Sequence, residues 1–317
     1  MNERVRQIMH EVNQVIRGKE QVVRKIFMTI LAEGHVLLSD VPGVGKTTMA
    51  LAFSRILGLE YKRMQFTPDV MPSDITGFYY YNKEEGRFVY RNGAAVTNLL
   101  LADEINRTSS RTQAALLEVM EEGQMTVDGM THQVPVPFIV IATQNPAGSV
   151  GTQMLPESQL DRFMVQLSVG YPGIQDEIAL LCDRGKKNPL DQVSQVLTVG
   201  ELLMMQKEVR EISVSPLIYQ YIAHLASATR NHEAIRLGVS PRGSLALAAM
   251  AKAGAYCDGR NYVVPEDVQD VLFDVFRHRL FLKSRVRLNS DTTDTVLEDI
   301  LSHVRVPDVR DGRRQGR

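Results

Sequence analysis

The sequence predicts a doubly wound α/β domain, in which helices cover both faces of a parallel sheet, followed by a smaller all-helical domain. Short apolar segments alternate with helical patterns over residues 1–180. Two of these segments, NLLLA (98–102) and FIVIAT (138–143), are apolar on both faces, as strands inside a parallel sheet are. From residue 199 onward the apolar periodicity is helical instead. A chain of 317 residues is long enough for two such domains.

Helices are predicted at three places in the first domain. The first 33 residues are predicted to be helical, because apolar side chains recur at helical spacing between Val22 and Leu31. Further helices are predicted over 46–57 and over 111–122, where Gly123 ends the second. The five predicted strands of the sheet span residues 35–39, 61–66, 98–102, 138–143 and 163–169.

Two segments of the first domain are additions to a simple doubly wound fold. Residues 67–95 separate the second and third strands by far more than an ordinary loop. Residues 124–134 alternate apolar and polar around Asp128-Gly129, a dipeptide that favours a tight hairpin turn. The sequence thus predicts one long insertion and one hairpin, the hairpin directly before the FIVIAT strand.

The second half of the chain divides into a linker, a helical domain and a tail. A linker near residues 185–192 makes 1–185 the first domain and 195–306 the helical domain. Pro265, followed by two acidic residues, marks the start of one helix. The last residues, 307–317, are polar and basic, which favours a solvated, disordered tail over a nucleic-acid contact.

Composition favours a soluble globular protein of the cytoplasm. The formal net charge is −1, so no overall basic field attracts nucleic acid or anionic membrane. The sequence contains no apolar run of about 18 residues and no signal-peptide core near its start. Cys182 and Cys257 follow no metal or redox spacing, and the seven histidines form no H-E-x-x-H pair. A metal site built by protein side chains alone is therefore not expected.

The segment SDVPGVGKTT (39–48) nearly spells the phosphate-binding pattern G-x-x-x-x-G-K-[ST]. Glycines allow the positive φ angles that direct backbone N–H groups at phosphate oxygens, and the following helix adds its N-terminus. Lys46 can reach the β- and γ-phosphates, and Thr47 can ligate Mg²⁺. The residues predicted to contact nucleotide here are Pro42, Gly43, Val44, Gly45, Lys46, Thr47 and Thr48.

Asp40 stands where the pattern has its first glycine. This position ends the strand, so the side chain can turn away from the phosphates, and Asp tolerates unusual backbone angles better than most residues. We therefore expect a working variant of the loop.

Polar side chains at the ends of two neighbouring strands predict hydrolysis. Asp103 and Glu104 follow a buried strand, and Asn145 follows the FIVIAT strand. An acidic pair after a strand is commonly only a solvated loop, and Asn-Pro commonly only a turn. Beside a phosphate loop, however, Asp103 can hold the metal through water, while Glu104 polarises the attacking water and Asn145 holds it.

Two arginines are candidates for contacts with the transferred phosphate. Arg162 lies just before the fifth strand, and Arg242 lies in the first turn of a helix after Pro241, expected to point at the ligand-facing end. The competing interpretation is a solvated charge, or for Arg162 an ion pair with Asp161 or Glu157.

These residues together resemble the MoxR family of AAA+ ATPases, over nearly the whole chain. The resemblance implies an AAA+ P-loop NTPase core, an αβα sandwich with a five-stranded parallel sheet, and a helical lid. In this family the loop often reads D-V-P-G-V-G-K-T, so Asp40 is familiar. The segments that carry the resemblance are VIRGKEQVV, HVLLSDVPGVGKT, QFTPDVMPSDITG, LLLADEINR, ALLEVMEEGQMTVDG, FIVIATQNP, LPESQLDRF and GVSPRGSLAL.

The resemblance also implies roles for segments and residues. Residues 67–95 correspond to the helix-2 insert and 124–134 to the pre-sensor-1 hairpin, which face the central pore in related rings. The insert is then expected to be dispensable for nucleotide binding. The implied residue roles are sensor 1 for Asn145, sensor 2 for Arg242, an arginine finger given to the neighbouring subunit for Arg162, the adenine pocket for Ile16, Arg17 and Gly18, and the strand-2 switch for Gln65.

The function implied by the resemblance is Mg²⁺-dependent ATP hydrolysis in a homo-oligomeric ring, expected to be a hexamer, that remodels or matures a client protein. A partner with a von Willebrand factor A domain would be a separate chain, because its D-x-S-x-S motif is absent here. One alternative is a nucleic-acid motor or loader, disfavoured by the neutral charge and testable by DNA stimulation of the ATPase at low salt. The other is a nucleotide-gated scaffold that barely hydrolyses, which Glu104 and Asn145 argue against.

Overall fold

A five-stranded, all-parallel sheet forms the centre of the first domain. The computed structural model describes residues 2–40, 43–145, 154–184, 189–283 and 292–308. The central strands are β1 (Val36–Ser39), β2 (Tyr61–Gln65), β5 (Leu99–Asp103), β8 (Ile139–Gln144) and β9 (Val165–Leu167), in the order β2-β5-β8-β1-β9. All five predicted strands are therefore confirmed.

Helices cover both faces of this sheet. Alternate residues of a strand enter different cores: Leu37 packs with one cluster, whereas Val36 and Leu38 pack with the other. The result is the αβα sandwich that the resemblance implies. The helices of the first domain are α1 (Glu3–Val15), α2 (Glu20–Leu31), α3 (Lys46–Ile56), α4 (Pro72–Thr76), α5 (Ser110–Glu122), α6 (Glu157–Leu160) and α7 (Ile174–Arg184).

The prediction of one helix over the first 33 residues was wrong. The helix is interrupted between α1 and α2 at residues 16–19, where Gly18 has φ 68°. A left-handed backbone cannot continue a right-handed helix, and glycine adopts it without steric cost.

The long insertion and the predicted hairpin pack on one another. The insertion contains α4 and the antiparallel strands β3 (Phe78–Asn82) and β4 (Arg87–Arg91), and the hairpin consists of β6 (Gln124–Val127) and β7 (Met130–Gln133). Asp128 and Gly129 turn it with φ angles of 48° and 79°. The Tyr90 ring stacks on His132 at 3.8 Å, and the Tyr79 hydroxyl is 3.2 Å from the same imidazole. An aromatic contact thus joins the two hairpins.

The second domain is helical and packs against α2. Gln206 donates to the Ile30 carbonyl at 2.8 Å, and Lys25 pairs with Asp274 at 2.5 Å. One two-stranded antiparallel ribbon, β10 (Ile235–Leu237) with β11 (Phe281–Leu282), adds to the predicted helices. The helices are α8 (Val199–Arg210), α9 (Pro216–Asn231), α10 (Pro241–Cys257), α11 (Pro265–Phe276) and α12 (Thr293–His303). Within the described ranges, every helix is too short or too polar to cross a membrane.

Candidate nucleotide site

The phosphate loop leads from β1 into the N-terminus of α3. Gly43 and Gly45 have φ angles of 88° and 89°, and among the described residues no atom lies within 4 Å of a Cβ added at either position. The loop is therefore open where a phosphate would approach. Thr47 and Thr48 lie half-buried in the first turn of α3, behind Val44. Pro42 lies outside the described residues.

Asp40 turns away from the phosphate side, as the sequence predicted. Its carboxylate accepts hydrogen bonds from the Ser168 hydroxyl at 2.9 Å, from the Gly170 N–H at 3.1 Å and from the Val169 N–H. Its backbone is not among the residues with positive φ, so tolerance of unusual angles does not explain the aspartate. The residue fastens the start of the loop to the chain that follows β9.

Lys46 is buried among acids. Its ammonium donates to the Asp40 carbonyl at 3.0 Å. Burial lowers the pKa of Lys46, and the charges of Asp40, Asp103 and Glu104 oppose that shift. The acidic pair after β5 therefore lies close enough to the phosphate-loop lysine to favour its charged form.

Glu104 is held by several donors at the carboxyl edge of the sheet. The side chains of Asn145, Gln65 and Arg107 donate to its carboxylate at 3.0, 2.8 and 3.0 Å. Desolvation raises the pKa of Glu104, but the hydrogen bonds from Asn145 and Arg107 outweigh it, so the pKa lies below its usual value. Its backbone is left-handed, with φ 56°, a conformation that is costly for a non-glycine residue and that the surrounding contacts hold in place. The residue is therefore an ionised carboxylate in a fixed position.

Four residues around the acidic pair were not predicted from the sequence: Arg63, Asn106, Arg107 and Thr143. The buried Thr143 hydroxyl donates to Asp103 at 2.6 Å and accepts from the Glu104 N–H at 2.8 Å. Arg63 pairs with the other oxygen of Asp103 at 2.7 Å. Asn106 holds the Asn145 backbone through two hydrogen bonds of 3.2 Å. Asn106 and Arg107 had a sequence signal, their place in DEINR, whereas Arg63 and Thr143 are neighbours of the acidic pair only in the folded sheet.

The break between α1 and α2 lies beside the chain that Asp40 fastens. Lys19 donates to the Tyr171 carbonyl at 2.7 Å, and a Cβ on Gly18 would lie 2.0 Å from the Asp176 carboxylate. Ile16 is buried at the same break. The segment predicted to line the adenine pocket is thus joined to the phosphate loop through residues 168–171.

Arg162 and Arg242 meet at a single carboxylate. Arg162 binds Glu121 at 2.6 Å and also donates to the Leu117 carbonyl at 2.6 Å. Arg242 binds the other oxygen of Glu121. The local partner of Arg162 is therefore Glu121, not Asp161 or Glu157.

Arg242 lies in the first turn of α10, as expected, but away from the phosphate loop of its own subunit, and its sensor 2 role stays a prediction. The two arginines line a cavity of about 290 Å³ with Gly34 and His35, which precede β1. The phosphate loop follows β1, so the arginines lie at the opposite edge of the sheet. Asp161 sets this position, because it accepts from Ser240, which caps α10, at 2.8 Å and from the buried Arg279 at 2.7 Å.

Comparisons with known proteins agree with this architecture. Residues 35–165 match the family model "ATPase family associated with various cellular activities (AAA)", and residues 227–300 match "AAA lid domain". The chain is 43% identical to the uncharacterized protein YeaC of Bacillus subtilis, over 94% of this chain and 93% of that protein. It is 39% identical to Chaperone MoxR1 of Mycobacterium tuberculosis, over 96% and 83%.

A solved structure matches over the same extent. The crystal structure of a proposed ATPase from Cytophaga hutchinsonii superimposes with a TM-score of 0.90 at 33% identity, covering 96% of this chain and 95% of that chain. Fold, site and sequence similarity lead to one conclusion: the chain belongs to the MoxR family of AAA+ ATPases.

Proposed function

We propose that this protein hydrolyses ATP to ADP and phosphate, with Mg²⁺, and uses the free energy to remodel or mature a client protein. The observation that carries the proposal is the convergence of Lys46, Asp103, Glu104 and Asn145 at one edge of the sheet. One relative is named Chaperone MoxR1, which supports action on a client protein. The family resemblance supports a ring of six subunits and a separate von Willebrand factor A domain partner.

Each residue of the edge has one role in this proposal. The N-terminal amides of α3 and the Lys46 ammonium bind the phosphates. Thr47 and Asp103 would hold Mg²⁺, and the ion would supply positive charge to neutralise the phosphate oxygens. Glu104 takes a proton from water while Asn145 holds that water in line with the γ-phosphorus.

Gln65 and Arg107 restrain Glu104 in the arrangement described above. Oε2 of Glu104 accepts a hydrogen bond from each of them, so it has little remaining capacity to accept one from water. Gln65 is therefore proposed as the switch that releases Glu104 when nucleotide is in place.

Both arginines are proposed to act on a neighbouring copy. A four-residue strand is about 13 Å long, so the edge where Arg162 and Arg242 lie is separated from their own phosphate loop by roughly that length. In a ring, the contact between copies is heterologous, so this edge can face the phosphate loop of the next subunit. Guanidinium groups there would offset charge that develops during phosphoryl transfer.

Two substitutions test the proposal. Lys46→Ala should abolish ATP binding, because it removes the side-chain charge that the loop offers to phosphates. Glu104→Gln should bind ATP as the parent does and stall hydrolysis, because an amide cannot accept the proton. The measurements are affinity for a fluorescent ATP analogue and steady-state phosphate release. Near-parental turnover by Glu104→Gln would show that Glu104 does not activate water.

A further inference from the structure

Glu121 is the one carboxylate that both arginines bind among the described contacts. It lies in the last turn of α5, in the first domain. Its partner Arg162 belongs to the same domain and lies just before β9. Arg242 reaches it from α10 of the second domain. A single acidic side chain therefore joins charges from both domains at the edge of the sheet.

Two guanidinium groups gathered at one point repel each other unless an anion lies between them. Glu121 supplies that anion and fixes the distance between the two groups. The three side chains are between 31% and 44% exposed, so the cluster is accessible from solvent. Without the carboxylate, each arginine would keep its charge but lose the partner that fixes its position relative to the other.

The contacts leave each guanidinium able to bind a second anion. A guanidinium has five N–H donors. The contacts between described residues engage Nη1 of Arg162 and Nη2 of Arg242. The Nε–H and the second amino group of each side chain can therefore meet a phosphate while Glu121 stays bound.

We propose that Glu121 is a positioning residue, which aligns Arg162 and Arg242 as one two-pronged site for the nucleotide phosphates held by the next copy of this chain. This inference rests on the proposed function. It differs from an autoinhibitory contact, because the carboxylate does not need to leave before the arginines engage. Loss of Glu121 then slows hydrolysis at the neighbour's site and leaves the subunit's own nucleotide affinity unchanged.

Mixed rings separate the subunit that gives arginines from the subunit that binds ATP. Arg162→Ala subunits keep an intact nucleotide site, and Lys46→Ala subunits keep intact arginines, so activity recovered on mixing arises where the second faces the first. Glu121→Gln is then introduced into the Lys46→Ala donors or, separately, into the Arg162→Ala acceptors. Glu122→Gln donors are the matched control, because Glu122 is the next, exposed carboxylate of α5.

The expected result is asymmetric. Glu121→Gln in the donors should lower the recovered rate roughly 10-fold, since small displacements of a catalytic group cost about that much or more. The same change in the acceptors, and Glu122→Gln in the donors, should leave the recovered rate unchanged. Isolated Glu121→Gln subunits should bind a fluorescent ATP analogue as the parent does.

Two results would overturn the inference while keeping the proposed function. They are full recovery with Glu121→Gln donors, or an equal loss when the change is in either subunit. A rise in the recovered rate would replace positioning by autoinhibition and overturn it too. If the unmodified mixture stays inactive in rings that demonstrably contain both subunits, the proposed action between subunits itself fails.

Discussion

The Asp40 carboxylate contacts the chain that follows β9. It satisfies the backbone N–H groups of Val169 and Gly170, of which Val169 is buried. A buried N–H without a partner costs about 1–3 kcal/mol. The side chain therefore stabilises the loop from behind.

Asp40→Gly would restore the usual glycine of the phosphate-loop pattern, yet we expect it to weaken the protein. It should lower the free energy of unfolding by about 2–4 kcal/mol, since the carboxylate's hydrogen bonds are lost. Asp40→Asn keeps an acceptor oxygen and should lose less. Urea unfolding and binding of a fluorescent ATP analogue measure both effects. A glycine variant as stable and as tight-binding as the parent would contradict the anchoring role.

The burial of His35 leads us to expect that acid destabilises the fold. Burial lowers the pKa of His35 to about 4, and its ring is held neutral between the Met120 carbonyl and the Val140 N–H. The His35 ring takes up a proton near pH 6.5 in the unfolded chain and near pH 4 in the folded chain. The stabilisation that the neutral ring gives the fold is therefore complete above pH 6.5 and is lost as the pH falls toward 4. Burial also lowers the pKa of His278.

The corresponding measurement is the free energy of unfolding against pH. Between pH 6.5 and 4, His35 should contribute a slope of about 1.4 kcal/mol per pH unit, and His35→Asn should lack that part of the slope. The control is His10→Asn, on the exposed face of α1. An unchanged slope in His35→Asn would show that this ring is not kept neutral by the fold.

At the scale of elements, the strands could be predicted and the insertion could not. Buried strands such as β5 and β8 are continuous apolar runs, and that pattern has few other interpretations. In β3, aromatic residues point to both faces and several are exposed, so neither alternation nor an apolar run marks the strand. The break at residues 16–19 was missed because its only sign is Gly18 within an otherwise helical pattern.

The insertion should transmit force to a client and contribute little to nucleotide binding. Excision of 72–86 would be too large a test, because it removes Ile75, which is fully buried in the core. Replacing residues 80–89 by Asn-Gly instead keeps Tyr79 opposite Tyr90 and closes the strands with a tight turn. This variant removes the exposed rings of Tyr81 and Phe88.

We expect the shortened protein to bind a fluorescent ATP analogue and hydrolyse ATP near the parental rate. Stimulation of that rate by an unfolded test protein should be lost. Tyr81→Ala with Phe88→Ala is the milder companion variant. Loss of nucleotide binding in a folded, shortened protein would refute the separation of roles between the insertion and the site.

At the scale of the whole molecule, the position of the second domain decides what the arginines can reach. Asp161 accepts from Ser240, which caps α10, and from Arg279, 118 positions away in sequence, and these contacts hold α10 at the amino edge of the sheet. No local pattern around Arg242 encodes those contacts. Residues of the phosphate loop, by contrast, could be predicted from sequence, because the strand, loop and helix that build it are consecutive.

We expect each active site to be completed by arginines from the next subunit. Arg162→Ala and Lys46→Ala proteins should each lose nearly all ATPase activity, since fingers of this kind contribute roughly 10³–10⁵ in rate. The decisive measurement is the phosphate release of the two proteins mixed in equal amounts, with co-assembly verified by differential tagging. We expect partial recovery, from interfaces where an intact Lys46 faces an intact Arg162. A co-assembled mixture without activity, or full activity of Arg162→Ala alone, would contradict this expectation.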